Sequence, residues 1–107
     1  MQRVGFMLKV KPEHVAEYKR HHENVWPEMQ AALNRSGWHN YSLFIRPDGL
    51  VFGYVEVSET FQQALDNMAK EPINEKWQEF MAPFFEGVPG THADKMMETL
   101  EPYFFLP

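Results

Sequence analysis

The sequence predicts an α+β chain, an antiparallel sheet with helices on one face. Three observations carry this. Stretches of alternating apolar and polar residues occur near the start, in the middle and near the end of the chain. Between them lie stretches whose apolar residues recur every three or four positions, the period of a helix with one buried face. The 107 residues, 44% hydrophobic and 15% aromatic, suffice for one packed core but not two, so residues 1–107 are expected to form a single domain.

Residues 2–10 alternate, with Val4, Phe6, Leu8 and Val10 on one side and Arg3, Gly5 and Lys9 on the other. That is the pattern of a half-buried strand. Lys11-Pro12-Glu13 opens a helix, because the N–H that proline lacks has no partner in a first turn. The helical pattern runs to about Asn34, and Ser36-Gly37 stops it. Pro27 inside the pattern predicts a kink, or a break into two helices, near Asn24 to Trp26.

Residues 38–46 alternate again, which assigns His39, Tyr41, Leu43 and Ile45 to one face. Arg46-Pro47-Asp48-Gly49 reads as a turn, since proline presets its own φ and glycine permits a positive one. Residues 50–57 make the next strand, so 38–57 is a hairpin. Ser58 or Thr60 caps a short helix carrying Phe61, Ala64, Leu65 and Met68. Glu71-Pro72 opens another, with a stripe of Ile73, Trp77, Phe80, Met81 and Phe84, and Pro83 weakens its last turn. Glu86 to Asp94 reads as a loop. Leu100 to Leu106 is aromatic and β-prone, with Pro102 marking an edge strand.

The order β-α-β-β-α-α-β is that of a ferredoxin-like antiparallel sheet with helices on one face. The other face then needs a cover, and a second copy of the chain related by a two-fold axis is the simplest one. The apolar tail is a candidate for exchange between the two subunits.

Composition removes several classes of function. The formal net charge is −5 and no run of Lys or Arg occurs, so neither nucleic acid nor an anionic membrane is an expected partner. The apolar stretch from Val4 to Val10 is interrupted by Lys9 and too short for a signal peptide or a span. The chain has no cysteine, which removes disulfides, thiolate nucleophiles and cysteine-ligated zinc and suits the cytoplasm. No dinucleotide or P-loop motif occurs. The histidines at 14, 21, 22, 39 and 92 form no HxH or HExxH pattern, and neither a metal nor a cofactor is expected.

One histidine stands apart. Val15, Tyr18, His22, Val25 or Trp26, Met29 and Leu33 fall on one helical stripe. His22 is thus the one ionisable ring in mid-stripe, a turn after Tyr18, while His21 belongs at the flank or in solvent. A lone histidine on an apolar face is most often a hydrogen-bonded core residue. Tyr41 on a strand beneath this helix, and Trp77 on the stripe of a later one, instead suggest a pocket with aromatic walls and one proton-exchanging group.

The segment Glu17-Tyr18, His22, Val25-Trp26-Pro27-Glu28 resembles the E-Y-x-x-x-H-x-x-[IV]-W-P-E signature of the L-rhamnose mutarotases. Gly37, Asn40-Tyr41-Ser42, Lys76-Trp77 with Phe80-Met81, and the ending Phe104-Phe105-Leu106-Pro107 are similar to that family too, at nearly constant spacing. The resemblance implies a homodimeric αβ-barrel that interconverts the α and β anomers of L-rhamnose, a 6-deoxy sugar, without a cofactor. By position it makes His22 the proton donor and Tyr18, Tyr41 and Trp77 the sugar-binding residues. Two stretches depart from the family. Trp77-Gln78 stands where paired tryptophans are common, so Gln78 is expected to border the sugar and tune which one fits. Glu86 to Met97 replaces a Pro/Asn-rich stretch. A mutarotase acting on another deoxy sugar such as L-fucose stays open. So does a non-catalytic small-ligand-binding or haem-handling use of the same barrel.

The chemistry suits these residues. Opening the hemiacetal requires a proton on the ring oxygen and the loss of one from the C1 hydroxyl, and an imidazole with an ordinary pKa of about 6.5 gives and takes protons in one cycle. Tyr18 and Tyr41 offer directional partners to hydroxyls, and Trp77 offers a plate to the sugar's apolar face. The partner base is left open among water, a tyrosine and a carboxylate. Of the carboxylates, Glu28 reads as a solvated helix residue and Glu56 lies near a strand end.

Overall fold

The computed structural model describes residues 1–86 and 97–107. The chain runs through β1 (Gln2–Lys9), a 3-10 turn (Pro12–His14), α1 (Val15–Glu23), α2 (Pro27–Arg35), β2 (Trp38–Ile45), β3 (Leu50–Val57), α3 (Phe61–Ala69), α4 (Pro72–Met81), a second 3-10 turn (Ala82–Phe84) and β4 (Glu98–Leu100). Prolines set three of the helical starts, at Pro12, Pro27 and Pro72. Pro27 also breaks the first helical region. Trp26 before it is extended, at φ −54° and ψ 133°, as the residue preceding proline prefers. α3 is capped by Thr60, whose hydroxyl accepts from the Gln63 N–H at 3.1 Å.

The four strands form one antiparallel sheet in the order β2-β3-β1-β4. This is the ferredoxin-like order, in which the crossovers β1-α-β2 and β3-α-β4 place their helices on one face. On that face Val4, Phe6 and Leu8 lie opposite Val55, Gly53 and Val51. Tyr18, Met29, Ala32, Phe61, Ala64, Met68, Trp77 and Met81 of the helices join them in the core. The expected turn joins β2 to β3, with Gly49 at φ 96° and its N–H donating to the Arg46 carbonyl at 2.9 Å. Among the described residues no helix lies on the opposite face of the sheet, and Phe44 and Phe52 on it are 61% and 41% exposed.

Three expectations need correction. In β2 the inward residues are Trp38 and then Tyr41, Leu43 and Ile45, whereas His39 stands opposite Glu56 and bonds Ser58 Oγ at 3.1 Å. The register slips between His39 and Ser42, with Asn40 at φ 48°. One extra residue in a bulge reverses the parity of everything before it. In α4 the buried stripe is Asn74, Trp77, Gln78 and Met81, while Phe80 is 41% exposed and Ile73 half-buried. This helix lies against α2 as well as α3, which centres its buried face one residue further round. The last strand is Glu98–Leu100, paired with the edge of β1. Residues 101–107 are exposed and form no strand, because Pro102 has no N–H to give to a ladder. The loop expected over Glu86 to Asp94 lies, except for Glu86, outside the described residues, as does His92.

Candidate active site

A cavity of about 590 Å³ opens between the end of α1, α2, α4 and the inner side of β2. Its size falls within the range of small-ligand sites. His22, Met29 and Leu33 line it from the first helical region, Trp38, Tyr41 and Leu43 from β2, Leu65 and Met68 from α3, and Asn74, Trp77 and Gln78 from α4, with Met97 beyond. Gln30, Asn34 and Asn40 line it too, so apolar and polar side chains converge on one space.

His22 sits in the last turn of α1, half-buried. Its Nδ1 is 3.0 Å from the backbone oxygen of Tyr18. A carbonyl only accepts, so Nδ1 carries the proton, and in the neutral ring Nε2 keeps its lone pair. Nε2 has no hydrogen-bond partner among the described residues. Burial is the main cause that lowers the His22 pKa from its ordinary value, the Tyr18 carbonyl works against it, and the neighbouring His21 lowers it further. The ring is therefore neutral at pH 7.

Aromatic rings fix this imidazole on two sides. The Tyr18 ring lies 4.3 Å away, and Trp77 meets it edge-on at 5.6 Å and 80°. Trp77 is held in turn by Trp26, edge-on at 5.0 Å. His21 faces the other way, against Phe80 at 4.7 Å and Phe84 at 5.5 Å, and does not line the cavity.

Tyr41 lines the cavity with its ring 5.1 Å from Trp38 and 6.1 Å from Phe6. Burial pushes its hydroxyl pKa far above the usual value, and the nearby Tyr18 phenol adds to this. The Tyr18 hydroxyl is raised by burial as well. Both phenols therefore stay protonated at neutral pH, which leaves their hydroxyls able to donate a hydrogen bond and unsuited to act as bases. Tyr18 is buried and does not line the cavity; its backbone oxygen holds His22 instead.

Of the five candidate residues, His22, Tyr41, Trp77 and Gln78 face the same cavity and Tyr18 stands behind His22. Glu28 is exposed, and Glu56 accepts hydrogen bonds from the Tyr54 hydroxyl and Asn40; neither lines the cavity. The exposed Glu23 reaches its rim. Among the lining residues that sequence reasoning did not single out, Trp38 and Asn74 bear most on the site. Trp38, whose Nε1 donates to the Ala64 carbonyl at 3.1 Å, was concealed by the bulge. Asn74 was readable as an amide one helical turn before Gln78. Among the described residues no three His, Cys, Asp or Glu side chains are grouped as a metal site.

A family profile described as L-rhamnose mutarotase matches residues 3–106. An L-rhamnose mutarotase of Oceanobacillus iheyensis is 40% identical over 84 residues, 78% of this chain and 79% of that protein. One of Mannheimia succiniciproducens is 35% identical over 107 residues, 99% of each. Among solved structures, an L-rhamnose mutarotase from Formosa agariphila superposes with a TM-score of 0.81 at 27% identity, covering the whole of both chains. The tetracenomycin F2 cyclase of Streptomyces glaucescens, a type-II polyketide cyclase, superposes with a TM-score of 0.61 at 17% identity over the whole of both. That second likeness concerns the fold alone, and a fold does not select a reaction.

Proposed function

The chain belongs to the L-rhamnose mutarotase family, and from that premise we propose that it is an isomerase interconverting the α and β anomers of L-rhamnose in the cavity lined by His22. The observation that carries the reading is the state of His22: a neutral ring on the cavity wall, its Nδ1 tied to Tyr18 and its Nε2 without a partner among the described residues.

Nε2 takes the proton of the C1 hydroxyl while the bond from C1 to the ring oxygen breaks and C1 becomes a carbonyl. The imidazolium then delivers that proton to the former ring oxygen. Both oxygens start on C1, so one nitrogen serves both. Rotation about C1–C2 exposes the other carbonyl face, and the same steps in reverse close the ring as the other anomer. Protons balance within the cycle, and His22 is base before it is acid. Its lowered pKa keeps the lone pair available at neutral pH. Tyr41, held neutral, donates to a sugar oxygen, Trp77 supplies the plate under the apolar face, and Gln78 borders the ring. Tyr18 orients the catalyst through its carbonyl.

The family's barrel supports a homodimer closed through the sheet face that carries Phe44 and Phe52, with residues 1–107 as one mutarotase domain. No helix among the described residues is long and apolar enough to cross a membrane, and the lack of cysteine supports a place in the cytoplasm.

Exchange NMR on equilibrated L-rhamnose tests the reading. Anomer exchange faster than in buffer is expected, and the same experiment ranks L-fucose and other deoxy sugars. No enhancement for any of them would overturn it.

A further inference from the structure

Asn74 and Gln78 are 5% and 9% exposed, one turn apart on the inner stripe of α4, and both line the cavity. Gln78 Nε2 donates to Asn74 Oδ1 at 3.2 Å. That single bond leaves Gln78 Oε1 buried with no hydrogen-bond partner among the described residues. It also leaves the Asn74 Nδ2 group without one. A pair serving only the packing of α4 would close on itself, because a buried acceptor left unpaired costs about as much as a lost hydrogen bond. This pair instead holds a spare acceptor and a spare donor at the wall of a ligand cavity.

We propose that Asn74 and Gln78 together read a hydroxyl of the sugar, which donates to Gln78 Oε1 and accepts from Asn74 Nδ2. The inference rests on the cavity being the sugar site and deepens that reading by naming a specificity determinant. A hydroxyl carries one donor and two acceptor lone pairs, so one group satisfies both amides. The last torsion of a glutamine is soft, so Oε1 turns toward the cavity at little cost. Asn74 also orients its neighbour, since its Oδ1 decides which end of the Gln78 amide is left over. The chain therefore demands a hydroxyl at the ring position facing α4. A flat indole at position 78 would ask only for apolar contact. A site built to bond a hydroxyl discriminates strongly against the analogue lacking it, because its own polar groups are then stranded.

The test compares L-rhamnose with its 2-, 3- and 4-deoxy analogues, following kcat/KM by exchange NMR in wild type, Gln78→Leu and Asn74→Leu. Wild type is expected to lose on the order of 10²-fold or more on one of the three analogues. Both variants should be slower on L-rhamnose yet discriminate against that same analogue only weakly. An unchanged ratio in the variants, or no discrimination by wild type, overturns the proposal while leaving the mutarotase reading intact. Side-chain amide resonances of wild-type Asn74 and Gln78 decide independently of turnover and of variant folding. Both should shift on saturation with L-rhamnose and stay in place with the discriminated analogue. Equal shifts with both sugars, or none with either, overturn the proposal even if wild type proves inactive as a mutarotase.

Discussion

Nδ1 of His22 lies 3.0 Å from the carbonyl oxygen of Tyr18, one turn earlier in the same helix. A backbone carbonyl cannot change its role, so this bond fixes the tautomer of the neutral ring and leaves the lone pair on Nε2. The adjacent His21 has no such constraint and packs against Phe80 and Phe84. Two neighbouring histidines thus have different surroundings because they lie on different faces of α1.

His22→Ala is expected to lower the rate of anomer exchange by about 10²- to 10⁴-fold, the usual contribution of a general acid–base group, with the fold intact by circular dichroism. His21→Ala should keep most of the rate. Equal losses in the two variants would contradict the assignment.

Burial, the largest influence on His22, lowers its pKa, and the sign of the pH dependence follows. In the unfolded chain the ring protonates as pH falls through about 6.5; in the folded protein it does so only at lower pH. The unfolded state thus binds more protons in the window just below pH 6.5, and folding stability is lost as pH falls through it. Urea titrations should show wild type losing stability relative to His22→Gln between about pH 7.5 and pH 5.5. The acidic limb of the rate profile should lie below the ordinary imidazole range. An acidic limb above about pH 6.5 would remove the role given to burial.

Much of this arrangement was legible because it is local. Pro12, Pro27 and Pro72 announce helical starts whatever surrounds them, and Tyr18, His22 and Met29 keep their spacing on one stripe across the break at Trp26. What escaped depended on partners distant in sequence. Nothing in Trp38-His39-Asn40-Tyr41 states that two residues will stand opposite Val55, and that one bulge exchanges Trp38 for His39 on the inner face. The roll of α4 that buries Asn74 and Gln78 and leaves Phe80 half outside is set by its packing against α2 and α3. The candidate residues were visible as types at the right spacing; the contact of the Tyr18 carbonyl with His22 was not, since every residue has a carbonyl.

Trp77 is expected to contribute to binding more than to proton transfer. Its indole touches His22 edge-on and lines the cavity, and it has no group that exchanges protons near neutrality. Trp77→Phe keeps an apolar ring but loses area, and aromatic contacts of this kind are worth about 0.5–1.5 kcal/mol. KM for L-rhamnose should rise by roughly 2- to 10-fold with a smaller change in kcat. A large fall in kcat at unchanged KM and unchanged melting temperature would move Trp77 into the catalytic step.

The uncovered face of the sheet should close a dimer. Phe44 stands directly opposite Phe52 across the β2–β3 ladder, with ring centroids 6.3 Å apart, and Met7 is opposite Phe52 on the other side. Gly5 lies beside Phe52 and Leu100, so no side chain separates those two. A row of apolar groups thus crosses the sheet where no helix of the described residues covers it. Beyond β4, Phe104 and Leu106 are exposed, and Phe105 lies under the Arg3 guanidinium, whose carbon is 3.3 Å from the ring centre. Apolar area of this extent associates readily in water, and two-fold pairing sets each Phe44–Phe52 row against its copy. Sedimentation should therefore show a dimer at low micromolar concentration. Phe52→Lys places a charge at the centre of the face and should weaken association by on the order of 30-fold or more, the scale of a central interface residue, with circular dichroism unchanged. Deleting residues 102–107 should reduce dimerisation or solubility as well. A wild-type chain that sediments as a monomer at that concentration would show that this face has another use.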